Sequence, residues 1–400
     1  MIAPYLPYPP HAGGRIRMLE LIKFLQRRHQ VTVAALALTE TDVAAARDLA
    51  RHCTRVEAVP WDWQPRLEDP SLPWAIRVFG SPAMESALRA LNATARFDVV
   101  IVEHVWMADL ARLIDAPAVL EEHNIESQIL RRFAATETNA LSREWDRSRW
   151  PVFGRSFEQL DASEIARMTA YEDSRWPRFP VRVVVSERDR EEMERRCPSG
   201  RVVVVPNGVD TRTHRPVGRA EARGVLFTAS FNYQPNLDAA AELCEVIWPL
   251  VEREVPEARL LLVGSGVPDH LLVQRWLRGA EVASDVDDLA PYASRCALSA
   301  VPLRVGGGTR LKILTSLALG LPVVTTSVGS EGLELGEHDG VLVEDDPARF
   351  AQRVVQILRD RDLQQRLARA GRAAVEEHYD WGRILPAYAR LLEEVAGGAG

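Results

Sequence analysis

The chain of 400 residues carries a formal net charge of −7, with 46% hydrophobic and 26% charged residues. That length exceeds what one hydrophobic core organises and sets an expectation of two soluble globular domains. The mild negative charge argues against a general nucleic-acid binder, and no run of about 18 apolar residues is present to form a membrane-spanning helix. The start, Met1-Ile-Ala-Pro-Tyr-Leu-Pro7, has neither a basic region nor a long apolar stretch, so no secretory signal is expected. Cys53, Cys197, Cys244 and Cys296 lie far apart, without metal-type or redox spacing. They read as buried free thiols in a reducing compartment, which sets the cytoplasm as the expected location.

Met1-Ile-Ala3 is a short apolar run before Pro4, where a central strand has about five residues. The sequence leaves open a truncated strand or a late start. A proline-rich turn leads to His11-Ala-Gly13-Gly14-Arg15, behind which Ile16, Leu19, Ile22 and Leu25 recur at helical spacing. Val31–Ala37 follows as a strand, so the chain opens with a strand–glycine–helix unit. The Gly-Gly pair fits equally a tight turn that needs positive φ. Val56–Val59 and Val99–Val102 read as strands, the second running into Glu103-His104. Val119-Leu120 runs into Glu121-Glu122-His123-Asn124-Ile125-Glu126. In open parallel sheets ligands bind beyond the carboxyl ends of strands, and a histidine there can position or polarise a substrate hydroxyl. His104 and His123 are therefore candidate catalytic residues, against the plainer reading of loop-end histidines that bond locally. Ala134–Arg178 breaks the rhythm with Arg, Glu and three tryptophans, Trp145, Trp150 and Trp176, and reads as two inserted amphipathic helices. An Arg/Trp face can meet a membrane surface or a lipid-linked partner. The mixture of charge signs favours ordinary helix packing with solvated faces. Val181–Val185 is a strand, and Ser186 is placed to cap a helix reaching about Arg196. Val202–Val205 ends in Pro206-Asn207-Gly208-Val209-Asp210, and the aperiodic Thr211–Arg223 reads as a linker.

A second α/β half begins at the strand Val225–Phe227, which ends in Thr228-Ala229-Ser230. A helix from Leu237 to about Val251, strands Leu260–Val263 and Glu281–Ala283, and the turn Ser284-Asp285-Val286 follow. Leu298–Val301 then leads into Gly306-Gly307-Gly308-Thr309-Arg310-Leu311-Lys312, a glycine loop opening a helix. Free backbone N–H groups and two cations at a helix N-terminus suit a phosphate. Lys312 is one of only two lysines in an Arg-rich chain, and lysine is a compact point charge where arginine prefers a planar fork. The plainer reading is a solvated lysine on the outer face of the helix. Val341–Val343, helices near Pro347–Leu358 and Leu363–Glu377, and a last helix from Trp381 complete the chain. Alternating strands and helices imply parallel sheets in both halves, with a ligand cleft between facing strand ends.

Four segments together resemble the GT-B superfamily of glycosyltransferases, specifically the retaining glycosyltransferase family 4, over nearly the whole chain. They are Pro7-Tyr-Pro-Pro-His-Ala-Gly-Gly-Arg15, Val205-Pro-Asn-Gly-Val-Asp210, Ser230-Phe-Asn-Tyr-Gln-Pro-Asn-Leu-Asp238, and Gly306-Gly-Gly-Thr-Arg-Leu-Lys-Ile-Leu314 with Pro322-Val-Val-Thr-Thr-Ser-Val-Gly-Ser-Glu-Gly332. The resemblance implies two Rossmann-like doubly wound domains facing a cleft. An acceptor-side domain would span 1–212 with a helical insertion about 134–178. A donor domain would span 219–378, and a helix, 379–400, would cross back onto the N-terminal domain. It implies transfer of a sugar from a nucleotide diphosphate sugar to a glycan, glycolipid or small-molecule hydroxyl, without metal or cofactor; the charge balance leaves out nucleic acid as a partner, and the Arg/Trp stretch leaves room for peripheral membrane contact. Gly13, Gly14, Ser230, Gly308, Thr309, Arg310 and Lys312 would hold the diphosphate. His104 would line the reacting centre with His123 as a second candidate, and the Val286 backbone would meet the base.

The sequence departs from the family pattern at Thr315, where relatives carry a Glu that holds the donor ribose. A Glu there makes charge-assisted bonds worth about 1.5–3 kcal/mol, and Thr offers no bidentate acceptor. Weaker donor binding, a substitute carboxylate, with Glu331 the candidate, or a degenerate homologue each fit. Besides a glycosyltransferase, a non-catalytic subunit that binds a partner transferase and a GT-B epimerase or phosphorylase are the alternatives.

Overall fold

The computed structural model describes residues 1–61, 69–135, 162–218, 223–231, 233–267, 280–307 and 310–398. The chain forms two compact units. Among the described residues the first comprises 1–134, 162–206 and 384–398, and the second 135 and 207–383.

The first unit is built on seven strands: β1 (Ile2–Ala3), β2 (Thr32–Ala37), β3 (Arg55–Pro60), β4 (Val100–Glu103), β5 (Ala118–Glu122), β6 (Val181–Val184) and β7 (Arg201–Val204). All pair in parallel, in the order β3-β2-β1-β4-β5-β6-β7. Val, Ile and Leu runs dominate because most of these strands are covered on both faces. β1 has two residues, as short as the sequence suggested. Ile2 and Ala3 nevertheless register with Ala34 and Ala35 of β2, Ile2 also with Val102 of β4, and both are buried. The strand order reverses between β1 and β4, and in such sheets the crevice at that reversal is where ligands bind.

The helix Gly13–Leu25 buries Met18, Leu19, Leu21, Ile22 and Leu25. Ser186 caps the helix Glu187–Arg196 by accepting the Asp189 amide at 3.2 Å, a bond worth about 1 kcal/mol. Residues 136–161, including Trp145 and Trp150, lie outside the described residues, so the expected two-helix insertion is described only from Ala162–Arg175 onward. Trp176 is fully buried and donates to Glu122 at 2.8 Å, so it belongs to the core rather than to a surface face. No described helix is long and apolar enough to cross a membrane.

The second unit carries β8 (Gly224–Ser230), β9 (Arg259–Ser265), β10 (Glu281–Ser284), β11 (Cys296–Val301), β12 (Val323–Thr325) and β13 (Val341–Val343). These are also all parallel, in the order β10-β9-β8-β11-β12-β13. The reversal here falls between β8 and β11, so the two units repeat one doubly wound plan. Several strands run past the apolar stretches that announced them, and Ser230 closes β8. Gly264 is required where β9 passes β8, because a Cβ there would collide with the Ala229 carbonyl. The helix expected from Leu237 to Val251 runs from Gln234 to Glu254 with a π-helical turn at Leu243–Ile247. Pro249 just after it has no amide to donate back along the helix, and its ring crowds the carbonyl four residues earlier.

The division between units falls at Pro206–Asn207 and Arg383–Ile384, a few residues from the bounds 212 and 378 that the resemblance implied. Backbone bonds explain the difference. Val209 N–H donates to Tyr379 O at 2.8 Å and Trp381 N–H to Val209 O at 3.2 Å. The Thr211 amide adds a bond to Asp380 Oδ2 at 3.1 Å. The final helix, Trp381–Gly397, joins the first unit from Ile384 on, where buried Tyr388 donates to Glu121.

Candidate functional site

In the first unit the residues at the β1/β4 reversal form one cluster. His104 follows β4, with its amide bonded to Glu121 O at 2.8 Å, and its backbone takes φ 65°, ψ 146°. That conformation costs about 1–3 kcal/mol and persists only where the surroundings impose it. The surroundings do: its ring stacks on Trp106 at 4.6 Å and 9°, and Trp106 stacks on Phe79 at 4.9 Å and 7°. Nε2 of His104 meets the Tyr5 hydroxyl at 3.3 Å. The His123 ring lies 4.2 Å from the His104 ring, and its Nε2 bonds Glu103 Oε2 at 2.7 Å. Gly14 stands against this pair, since a Cβ there would collide with Tyr5 Oη and sit 3.1 Å from His123 Nδ1. The structure thus brings Gly14, His104 and His123 together, and gives the Gly-Gly pair a reason that a turn alone would not. Gly13 begins the same helix. Gly14→Ala should overpack the cluster, and overpacking costs about 1–3 kcal/mol. The expected result is a lower melting temperature, checked by thermal unfolding, together with reduced turnover.

Burial governs the protons. Burial and the neighbouring His123 push His104 well below the usual histidine range, so it is a neutral imidazole. Glu103 is raised by burial and by the charge of Glu121. Burial also acts to raise Glu121, but Arg17, His123 and the Tyr388 hydroxyl hold it below the usual range. Arg17 Nε lies 2.5 Å from Glu121 Oε1. Burial lifts Glu122 far above its ordinary value, and burial with Glu172 lifts Glu126 to about 8.

Ligand atoms of Glu103, Glu121 and His123 fall within 4.8 Å of one another. Arg17 already supplies the compensating positive charge, so we do not read these three as metal ligands.

In the second unit the β8/β11 reversal gathers Ser230, Asn236 and Lys312. Asn236 Nδ2 donates to Ser230 O at 2.8 Å, which orients its amide, and Lys312 Nζ donates to Asn236 Oδ1 at 2.5 Å. The ammonium lies 4.7 Å over the Phe227 ring. Lys312 is half-buried, not solvated on an outer face; burial, helped by Arg310, lowers its pKa to about 7. Beside it Arg304 forms a two-pronged pair with buried Asp238 at 2.9 and 2.6 Å. Gly308 and Thr309 lie outside the described residues. Arg310 stands just before the helix Leu311–Ala318 with its guanidinium folded onto its own loop, donating to Gly307 O. Thr315 is half-buried, three residues beyond Lys312 and so on the same helix face. Glu331 follows the short helix Ser327–Ser330 and is also half-buried. Val286 follows β10 and packs against the cluster of Leu226, Leu261 and Val263.

Sequence reading missed Tyr5, Arg17, Glu103, Trp106 and Glu126 in the first unit and Asn236 in the second. The run Glu121-Glu122-His123-Asn124-Ile125-Glu126 was a usable signal, since three carboxylates at a strand end need partners.

Residues 12–213 match the family described as Glycosyltransferase Family 4, and residues 222–360 match Glycosyl transferases group 1. The chain is 21% identical to an uncharacterized 44.6 kDa protein in the cps region of Klebsiella pneumoniae, over 94% of this chain and 95% of that protein. Among solved structures it resembles sucrose-phosphate synthase from Thermosynechococcus elongatus, with TM-score 0.72, 17% identity and 99% of both chains covered. It also resembles Anabaena HepE in complex with UDP-glucose, with TM-score 0.68, 13% identity and 98% of both chains covered. The two structures share the GT-B fold.

Proposed function

Because the chain belongs to glycosyltransferase family 4, we propose that it transfers a sugar, with retention at the anomeric carbon, from a nucleotide diphosphate sugar to a hydroxyl acceptor. The observation that carries this reading is Lys312, aligned through Asn236 to the end of β8 and stacked over Phe227 at the reversal of its sheet. A cation held there with little freedom to move is suited to the oxygens of a leaving diphosphate, and preorganised charge of this kind is an effective form of rate acceleration. Arg310, Thr309, Gly308 and Ser230 would share that anion. Val286 would meet the base through its backbone. Since the chain's own cations would neutralise the diphosphate, the reaction needs no metal in this scheme.

His104 would touch the reacting end of the sugar or the acceptor hydroxyl, with His123 oriented behind it by Glu103. The Anabaena relative was solved with UDP-glucose, which favours a uridine nucleotide. The cps-region relative favours a polysaccharide or related glycan as acceptor.

Thr315 and Glu331 are assigned to the ribose side of the donor. If the missing ribose contact is the only change there, Thr315→Glu should tighten donor binding about tenfold or more, from the worth of a charge-assisted bond. Equal or weaker binding in calorimetry would mean that the pocket has been rebuilt around Thr315, the feature that favours a non-catalytic subunit. The reading as a whole is tested by incubating the protein with nucleotide diphosphate sugars and acceptor hydroxyls. Release of the nucleoside diphosphate and a product with the donor's anomeric configuration are expected; an inverted product would overturn retention, and no release with any donor would overturn the transferase reading.

A further inference from the structure

Two buried polar atoms in the first unit face each other without a hydrogen bond. Nδ1 of His104 and Oε1 of Glu126 are 3.8 Å apart, and neither has a hydrogen-bond partner among the described residues. Both residues are more than nine-tenths buried. Unmade bonds at such a depth are costly, and Oε1 need approach Nδ1 by only about 1 Å to reach hydrogen-bond distance. The imidazole cannot turn to help, because Trp106 is stacked on its face and its Nε2 is at the Tyr5 hydroxyl.

We propose that Glu126 is a positioning residue that sets which ring nitrogen of His104 carries the proton, and so whether Nε2 offers a substrate hydroxyl a lone pair or an N–H. The inference rests on the assignment of His104 to the reacting centre. As a neutral acid, Glu126 donates its O–H to Nδ1, and the proton of the neutral imidazole sits on Nε2. As a carboxylate, Glu126 accepts from Nδ1–H, and Nε2 keeps its lone pair. In the first state Nε2–H can hold the oxygen of a hydroxyl; in the second Nε2 can accept the hydroxyl proton. The Tyr5 hydroxyl serves either state, since it both donates and accepts, and burial and Glu103 hold it neutral.

The groups facing Glu126 favour the acid at low pH. Glu172, from the helix Ala162–Arg175, and Glu122, from β5, oppose its charge; Asn124 donates to it. Glu172 is in turn paired with Arg196 at 2.7 Å and bonded to the Ser127 amide and hydroxyl. Burial and Glu172 raise the Glu126 carboxyl to about 8, so the two states exchange within an accessible pH range.

The test is nitrogen NMR of the protein labelled with 15N-histidine, with His104 assigned by the His104→Gln variant. Between pH 6 and pH 10 the protonated nitrogen of His104 should change from Nε2 to Nδ1, with a midpoint of about 8. In Glu126→Gln the change should vanish, and the pH profile of kcat should lose the same step while melting temperature stays within a few degrees. A tautomer that does not change in the wild type, or that changes with the same midpoint in Glu126→Gln, would overturn the proposal. If the variant does not fold, the wild-type titration decides alone. The NMR reading needs no turnover, so a tautomer change without sugar transfer would count against the proposed reaction and not against the role of Glu126.

Discussion

Replacing Lys312 with alanine is expected to weaken binding of a nucleotide diphosphate sugar by about tenfold to a hundredfold, the worth of one charge-assisted hydrogen bond. Calorimetry on wild type and variant measures it. The loss should not come from misfolding, because Lys312 is only half-buried and its removal leaves the Arg304–Asp238 pair in place. The same lysine fixes how binding depends on pH. In the ligand-free protein its pKa is lowered from 10.5 to about 7, so above pH 7 the empty site is mostly neutral there. A diphosphate favours the ammonium, and binding therefore takes up a proton. Affinity should be flat below about pH 7 and fall by up to about tenfold per unit above it, a slope that Lys312→Ala should remove. Stability of the ligand-free protein runs the other way. The unfolded chain binds more protons at this lysine between about 7 and 10.5, so this group's contribution rises with pH across that window.

His104→Ala is expected to lower kcat by about a hundredfold to ten-thousandfold, the usual range for losing a group that positions or transfers a proton. Donor affinity should fall far less than kcat, since Ser230, Arg310 and Lys312 belong to the second unit. Steady-state kinetics with calorimetry separates the two. A variant that lost affinity and kept kcat would place His104 in donor binding instead. His123→Ala should have a smaller effect on kcat, because its Nε2 is engaged by Glu103 at 2.7 Å.

The alternation of strands and helices was legible throughout because nearly every strand is an apolar run between turn signals. What the sequence hid were the ends. β5 continues through Glu121 and Glu122, which apolar patterning assigns to a loop. They are tolerated in the sheet because Arg17 and Tyr388 bond the first and Trp176 and the Val105 amide the second.

The site was half legible for the same reason. His104, His123 and Lys312 stand at strand ends or beside a glycine loop, where local pattern exposes them. Tyr5 and Asn236 come from other elements, and no local pattern announces their bonds to His104 and Lys312; Glu126 stands in the acidic run after β5, but that it faces His104 is a tertiary fact. The backbone strain at His104, the clearest structural mark on any residue of the first cluster, has no sequence signature at all. The polar, aperiodic stretch after Asp210 looks like a linker, whereas the division between units falls at Pro206–Asn207. Pairing of Val209 with Tyr379 and Trp381 is a tertiary fact.

The central claim is that the second unit holds a nucleotide diphosphate sugar at Lys312. Thermal unfolding of the wild-type protein with saturating UDP-, GDP-, ADP- and dTDP-sugars tests it most directly, since a ligand at a hundred times its Kd stabilises by about 2.7 kcal/mol. At least one of these donors should raise the melting temperature by several degrees, and the rise should be lost in Lys312→Ala. If none of them raises it, or if the variant responds as the wild type does, the claim is wrong.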